Sequence, residues 1–190
     1  MKKIAITGNI ASGKSTVCEI IEDMGFLVVG TDELGREALA SPAVTNAFSE
    51  YDVFDDSGLI DRSKLSKLVF SDDELREKLN SIVHPMIFAK LEEFLLQHSD
   101  ESAVFVEIPL LFETKSEGQF DVIILVYAED DVRLSRLMAR DGFSEEEAEA
   151  RMQSQESQRS KLKKTNYIVD NSGEDGYGLY NQIYEVLTRI

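Results

Sequence analysis

Positive charge is scarce in this chain. Its 190 residues carry 20 Lys and Arg against 36 Asp and Glu, a formal net charge of −16 at pH 7. Such a field opposes non-specific binding to nucleic acid or anionic lipid, which need a cationic surface, so neither is expected as a partner. Cysteine is nearly absent as well. The single Cys18 excludes an internal disulfide and suits a reducing, cytoplasmic setting. Lying among Val17, Ile20 and Ile21, it reads as a packing residue rather than a redox centre. Long apolar runs are missing: none approaches the roughly 20 residues of a membrane span. The basic start, MKK, is followed by too short an apolar stretch for a secretory leader. No internal repeat or low-complexity segment is present. What remains, 43% hydrophobic and 29% charged, is the composition of a soluble globular protein long enough for one α/β core and an inserted subdomain. A monomer or weak homo-oligomer is expected.

Against this acidic background, a cation beside a glycine-rich loop is informative. The run IAITGNIASGKSTV from Ile4 to Val17 places Gly8, Gly13, Lys14 and Ser15 in the G-x-x-x-x-G-K-[ST] pattern of a phosphate-binding P-loop. Glycines let the loop curl so that backbone N–H groups point inward, and the following helix adds its own unpaired N–H groups and positive dipole end. Lys14 would reach the β- and γ-phosphates, and the Ser15 hydroxyl would ligate Mg²⁺. A strand-like run (Lys3 to Thr7) precedes the loop and a helix-like segment (Lys14 to Met24) follows it, which is the context the motif needs.

After Gly25 stops that helix, Phe26 to Val29 reads as a second buried strand, expected beside the P-loop strand, and Thr31 or Asp32 is placed to cap a new helix. Asp32 carries two readings, a helix cap or an acidic group at the strand end where such sheets bind ligands. From Ser41 to Gln97 the pattern is helical and polar. It is broken by a turn at Phe54 to Gly58, where Asp55 and Asp56 read as turn residues, and interrupted at His84-Pro85, because a residue before proline is pushed out of helical geometry. His84 reads as a structural histidine or, held at that break, as a ligand contact. His98 reads as a C-terminal cap.

Ala103 to Glu107 is a third strand closing on a carboxylate, and Glu107 is a candidate to hold Mg²⁺. Phe120 to Tyr127 and Tyr167 to Asp170 are further strands, and an amphipathic helix closes the chain. Arg133, Arg136 and Arg140 share overlapping faces of one helix. Arg133 reads as part of a solvated face laced to Asp130 and Asp131, while Arg136 and Arg140 lead into a charged stretch able to close over phosphates as a lid. Alternating strands and helices give an α/β fold: a P-loop kinase-like, doubly wound parallel five-stranded sheet with a helical insertion and a helical lid. The expected layout is one domain, with its core at 1–40, 101–135 and 165–190, an insertion at about 41–100 and a lid at about 136–164. The constellation fits phosphoryl transfer from a nucleoside triphosphate, with Asp32 orienting the accepting hydroxyl.

Taken in order, ITGNIASGKSTV, TDELGRE, DSGLIDRSKLSKLVF, IVHPMI, EIPLLFE, FDVIILVYA, RLSRLMARDGFSEEEAEARMQSQ and YIVDNSG resemble the dephospho-coenzyme A kinase family over nearly the whole chain. HP, PLLFE and the Arg-rich lid with its following Gln separate this likeness from other P-loop proteins. The resemblance implies transfer of the ATP γ-phosphate, with Mg²⁺, to the ribose 3′-hydroxyl of dephospho-CoA. It further implies an ATP-binding loop over Gly8 and Ala11, Ser12, Gly13, Lys14, Ser15 and Thr16, Asp32 as the activating carboxylate, and Arg140 in the lid. Arg36, His84, Pro109, Leu110 and Leu111 would border the acceptor, with the helical insertion as the acceptor-binding subdomain. The chain departs from the family pattern twice. It has Gly30-Thr31-Asp32 where D-A-D is usual, which leaves Asp32 as the remaining carboxylate, and Glu107 where Asp is common. A nucleoside monophosphate kinase would have no reason to carry HP and PLLFE, and a guanine-recognising switch would need a motif that is not found.

Overall fold

The first strand, β1 (Lys2–Thr7), sits at the centre of the sheet because Ile4, Ala5, Ile6 and Thr7 are buried on both faces. In the computed structural model, which describes residues 1–173 and 176–190, the order is β2-β3-β1-β4-β5. The other strands are β2 (Leu27–Gly30), β3 (Ala103–Glu107), β4 (Val122–Tyr127) and β5 (Tyr167–Asp170). β1 runs parallel to both β3 and β4, and β4 parallel to β5. Strand order therefore reverses at β1, and the switch point of this doubly wound sheet falls at its carboxyl end, where Gly8 begins the loop. β2 lies at the edge, separated from β1 by β3, and not beside the P-loop strand as expected. Hydropathy marks a buried strand but carries no neighbour order. The intervening strand is the one that ends in Glu107, paired in register with Ile6.

Residues 1–29 and 100–190 form one compact unit and residues 30–99 a second, so the boundary falls at the end of β2. In the first unit, α1 (Lys14–Asp23) and α9 (Gly176–Leu187) pack with the sheet through Val17, Ile21, Phe105, Ile124, Leu179 and Ile183. α6 (Asp130–Asp141), α7 (Glu145–Gln153) and α8 (Gln158–Leu162) follow β4. α7 opens with a full capping box between Ser144 and Glu147, which fixes where this otherwise solvated segment becomes helical.

The second unit holds α2 (Thr31–Leu39), α3 (Pro42–Ala47), α4 (Arg62–Ser71) and α5 (Asp73–Gln97) around Ala38, Val44, Phe48, Val53, Leu65 and Val83. Asp61 and Asp72 cap α4 and α5 with their side chains. The turn before α4 forms as expected, with Asp55 Oδ1 accepting from Ser57 N and Leu59 N at 2.9 and 3.0 Å. The expected break at His84-Pro85 does not occur, since α5 continues through Pro85 for 25 residues. A proline inside a helix removes one backbone hydrogen bond, and here packing outweighs that loss: Val83 is buried on one side of it and Leu91 and Leu95 on the other.

Candidate active site

Two positions of the loop require glycine. A Cβ on Gly8 would stand 2.5 Å from the Val126 carbonyl oxygen and 2.6 Å from Ser12 Oγ. One on Gly13, at a φ of +87°, would stand 2.0 Å from Asn171 Nδ2. Ser12 N donates to Asn9 O at 3.1 Å to close the curl. Lys14 Nζ reaches back to donate to Gly8 O and Asn9 O at 3.0 and 3.3 Å, so the ammonium lies over the loop. The first turn of α1 has neither an acidic residue nor a side-chain cap, whereas α2, α5, α6 and α7 all begin with acids. The positive end of α1, with exposed Ser15 and Thr16 on it, is thus uncompensated by its own side chains, which is the condition an anion needs.

Three residues outside the motif hold the loop in shape. Asn171 Nδ2 donates to Ser12 O at 2.9 Å, Ile10 N donates to Gln155 Oε1 at 2.7 Å, and Arg133 Nε donates to Ile10 O at 3.0 Å. Arg133 is only 3% exposed, contrary to its expected place on a solvated face. Its Nη1 donates to Asp130 Oδ1 at 2.8 Å, and Gln158 Nε2 donates to the same oxygen at 2.9 Å. Burial pushes the guanidinium pKa down while Asp130 opposes that shift. The pairing with Asp130 is as expected, but the burial follows from Ile10, whose carbonyl is distant in sequence.

Arg136 lines a cavity of about 320 Å³ with Gly13, Thr16, Asn171 and Leu179. Among the described residues its Nη1 is buried without a hydrogen-bond partner. Arg140, at the end of α6, is forked onto its neighbour: Nε and Nη2 donate to the two carboxylate oxygens of Asp141, each at 2.8 Å. That pair raises the Arg140 pKa and holds the Asp141 carboxyl below its ordinary range.

Beyond β3, Pro109 is half-buried, Leu110 is exposed and Leu111 is fully buried, so Leu111 acts in packing. Glu113 ends that loop in an ion pair with the fully buried Lys161, Oε1 to Nζ at 2.8 Å, and the same oxygen accepts from Glu156 N at 3.1 Å. The pair fastens the PLLFE loop to α8. Breaking one partner would strand a buried charge. No local signal distinguished Lys161 from the exposed lysines around it.

In the helical unit, Asp32 and Arg36 stand one turn apart on α2, so they share a face. The helix is capped by Gly30 without a side-chain bond, which corrects the expected cap at Thr31 or Asp32 and leaves the Asp32 carboxylate in the first turn. His84 lies mid-helix in α5, and burial lowers its pKa from 6.5. Among the described residues no group of three or more His, Cys, Asp or Glu is gathered to hold a metal by itself.

The family model described as dephospho-CoA kinase matches residues 2–175. The chain belongs to the dephospho-CoA kinase family. The dephospho-CoA kinase of Geobacillus kaustophilus is 40% identical over 177 residues, covering 90% of this chain and 88% of that protein. The solved dephospho-CoA kinase of Campylobacter jejuni superposes with a TM-score of 0.75 at 32% identity, covering 98% of this chain and 96% of that one. A crystal structure of a Thermus thermophilus protein gives 0.89 at 35% identity over 99% and 96%. As a member of the dephospho-CoA kinase family, the chain is a phosphotransferase with an alcohol acceptor, carrying the ATP γ-phosphate to the ribose 3′-hydroxyl of dephospho-CoA in the last step of coenzyme A synthesis. Among the described residues no helix is long and apolar enough to cross a membrane.

Proposed function

We propose that the family reaction divides among the chain's residues as follows. The amides of Ala11 to Thr16 and the Lys14 ammonium bind the β- and γ-phosphates of ATP. The observation that carries this assignment is the acid-free, uncapped first turn of α1 behind a loop already curled around Lys14. The cavity beside Gly13 and Thr16, with the unsatisfied Arg136 nitrogen, takes the nucleoside. Asp32 orients the acceptor 3′-hydroxyl and takes its proton as the oxygen attacks the γ-phosphorus and ADP leaves. Arg140 exchanges Asp141 for the transferring phosphoryl group within a lid of about residues 136–164. Arg36, His84 and the Pro109–Leu110 turn border the acceptor.

The Ser15 hydroxyl and the Glu107 carboxylate, both hard oxygen donors, would hold Mg²⁺ together with phosphate oxygens. When bound, that ion neutralises charge on the β- and γ-phosphates. The acidic surface and single cysteine fit a cytoplasmic monomer or weak homo-oligomer. The test couples ADP release to added acceptor. Turnover that requires dephospho-CoA is expected, and hydrolysis that is acceptor-independent or selective for guanosine nucleotides would overturn the assignment.

A further inference from the structure

The loops that leave the carboxyl ends of β1 and β3 start side by side, because the two strands are paired and Ile108 N donates to Ile6 O at 2.9 Å. Farther out, one short segment between α7 and α8 joins them. Gln155 Oε1 accepts from Ile10 N at 2.7 Å and Glu156 O accepts from Asn9 Nδ2 at 2.9 Å, so both residues are tied to the phosphate loop. In the other direction Glu156 N donates to Glu113 Oε1 at 3.1 Å, and the Glu156 carboxylate holds Lys164, whose Nζ lies 5.2 Å from the centre of the Phe112 ring. Glu113 Oε1 is also the atom paired with Lys161 at 2.8 Å. Among the described residues Glu113 Oε2 is buried without a hydrogen-bond partner, so the anchoring passes through one oxygen. Backbone strain marks the same two loops. Ala11 and Lys115 are the described residues other than glycine with positive φ, at 61° and 54°, and such conformations persist only where the surroundings hold them. Ala11 follows Ile10, and Lys115 lies just past Glu113.

Stability alone does not account for Lys161, which is among the largest fully buried side chains of the protein. Desolvating an ion pair offsets much of its attraction, and an apolar pair of similar volume would fasten the loop about as well. What the enclosed charge adds is direction: the ammonium fixes the carboxylate in the orientation that meets Glu156 N. We propose that Lys161 is a positioning residue for phosphoryl transfer, orienting Glu113 so that the 155–156 segment holds the phosphate loop and the 109–113 loop at one separation. The inference rests on the reading of Pro109 and Leu110 as acceptor contacts. One loop then carries the donor and the other borders the acceptor, and an error of about 1 Å between reacting atoms costs about 10²-fold in rate. The phosphate loop keeps its own shape without Lys161, because Asn171 and Arg133 bond directly to Ser12 and Ile10. Losing the lysine therefore displaces one loop against the other and lowers turnover more than it weakens the binding of either substrate.

Steady-state kinetics and thermal unfolding of the full chain, with ATP and dephospho-CoA varied separately, test the role of Lys161. Lys161→Met should lower kcat at least about tenfold with both KM values within about threefold of wild type. It should also lower the melting temperature, since Glu113 is left charged and unpaired. Combining Lys161→Met with Glu113→Leu replaces the pair by apolar side chains, so the melting temperature should recover while kcat stays at least about tenfold low. A kcat that recovers together with the melting temperature, or that is untouched in Lys161→Met, shows a pair serving stability only and overturns the inference. If neither variant folds, Gln155→Ala decides, because it cuts the same segment at a half-buried residue. There kcat should fall at least about tenfold, and a value within about twofold of wild type overturns the inference. Leu110→Ala with an unchanged KM for dephospho-CoA removes the acceptor reading of the loop, and this inference with it.

Discussion

The side-chain amide of Asn171, at the end of β5, donates to the carbonyl of Ser12 at 2.9 Å, and its Nδ2 occupies the position a Cβ on Gly13 would need. One contact thus explains both a bond that shapes the loop and a glycine that cannot be replaced. Asn171→Ala should leave the buried Ser12 carbonyl unpaired at a cost of about 1–3 kcal/mol. In thermal unfolding this should appear as a loss of a few degrees, with a raised KM for ATP and an unchanged KM for acceptor. Gly13→Ala should be worse on both counts, since it adds a clash and a strained φ. Equal KM values for ATP in all three proteins would show that the contact does not shape the loop.

Asp32 is free of any capping duty, so its replacement reads out chemistry more cleanly than helix stability. Asp32→Asn should lower kcat by about 10²-fold or more, the usual size of general-base assistance, with ATP binding by calorimetry and the melting temperature nearly unchanged. Near-normal kcat would remove Asp32 from proton transfer.

Arg140 already holds a planar, bidentate partner in Asp141, the geometry it would offer to a phosphoryl group. Arg140→Ala should reduce kcat/KM for both substrates at least about tenfold, and kcat more than nucleotide affinity, because the interaction is made mainly in the transition state. If kcat/KM is preserved for both substrates, the arginine belongs to the surface of α6 and not to the reaction.

His84 sets a pH dependence of stability. Burial lowers its folded pKa below the value of 6.5 in an unfolded chain, so the neutral ring is the folded form. The unfolded state binds the proton more readily. The contribution is therefore complete above 6.5 and is lost as pH falls from there through the folded pKa. Unfolding midpoints for wild type and His84→Gln should run parallel above about pH 7.5 and diverge below about pH 6.5, the wild type losing more. Curves that stay parallel through acid would place His84 in solvent.

What could be read from the sequence was what neighbours in sequence decide. Ala103–Glu107 and Tyr167–Asp170 form as strands over their expected residues, the P-loop lies between a strand and a helix, and Asp55 closes its turn. Apart from the cap of α2, which falls at Gly30, the misplaced features depended on something distant. The place of β2 in the sheet was set by β3 inserting beside β1, and continuity through Pro85 by packing along α5. Arg133 was drawn inward by Ile10 O, more than a hundred residues earlier in the chain. Gln155, Asn171 and Lys161 belong to the same group: each is an ordinary polar residue by local pattern, and each acquires its place only once the strand order brings its partner close. The candidate site was legible in its motif and obscure in its supports, because a motif is local and the contacts that hold it are not.

Cys18 lies one turn into α1 with 6% of its surface exposed, and burial, reinforced by Glu107 and Glu22, pushes its thiol up to about 12. Thiol–disulfide exchange needs a thiolate. Both the acceptor and the product of this enzyme end in a free thiol, which can oxidise to reactive disulfides. In a catalyst that handles such molecules on every turnover, enclosing its single sulfhydryl beside the phosphate loop and disfavouring its thiolate slows capping by its own product.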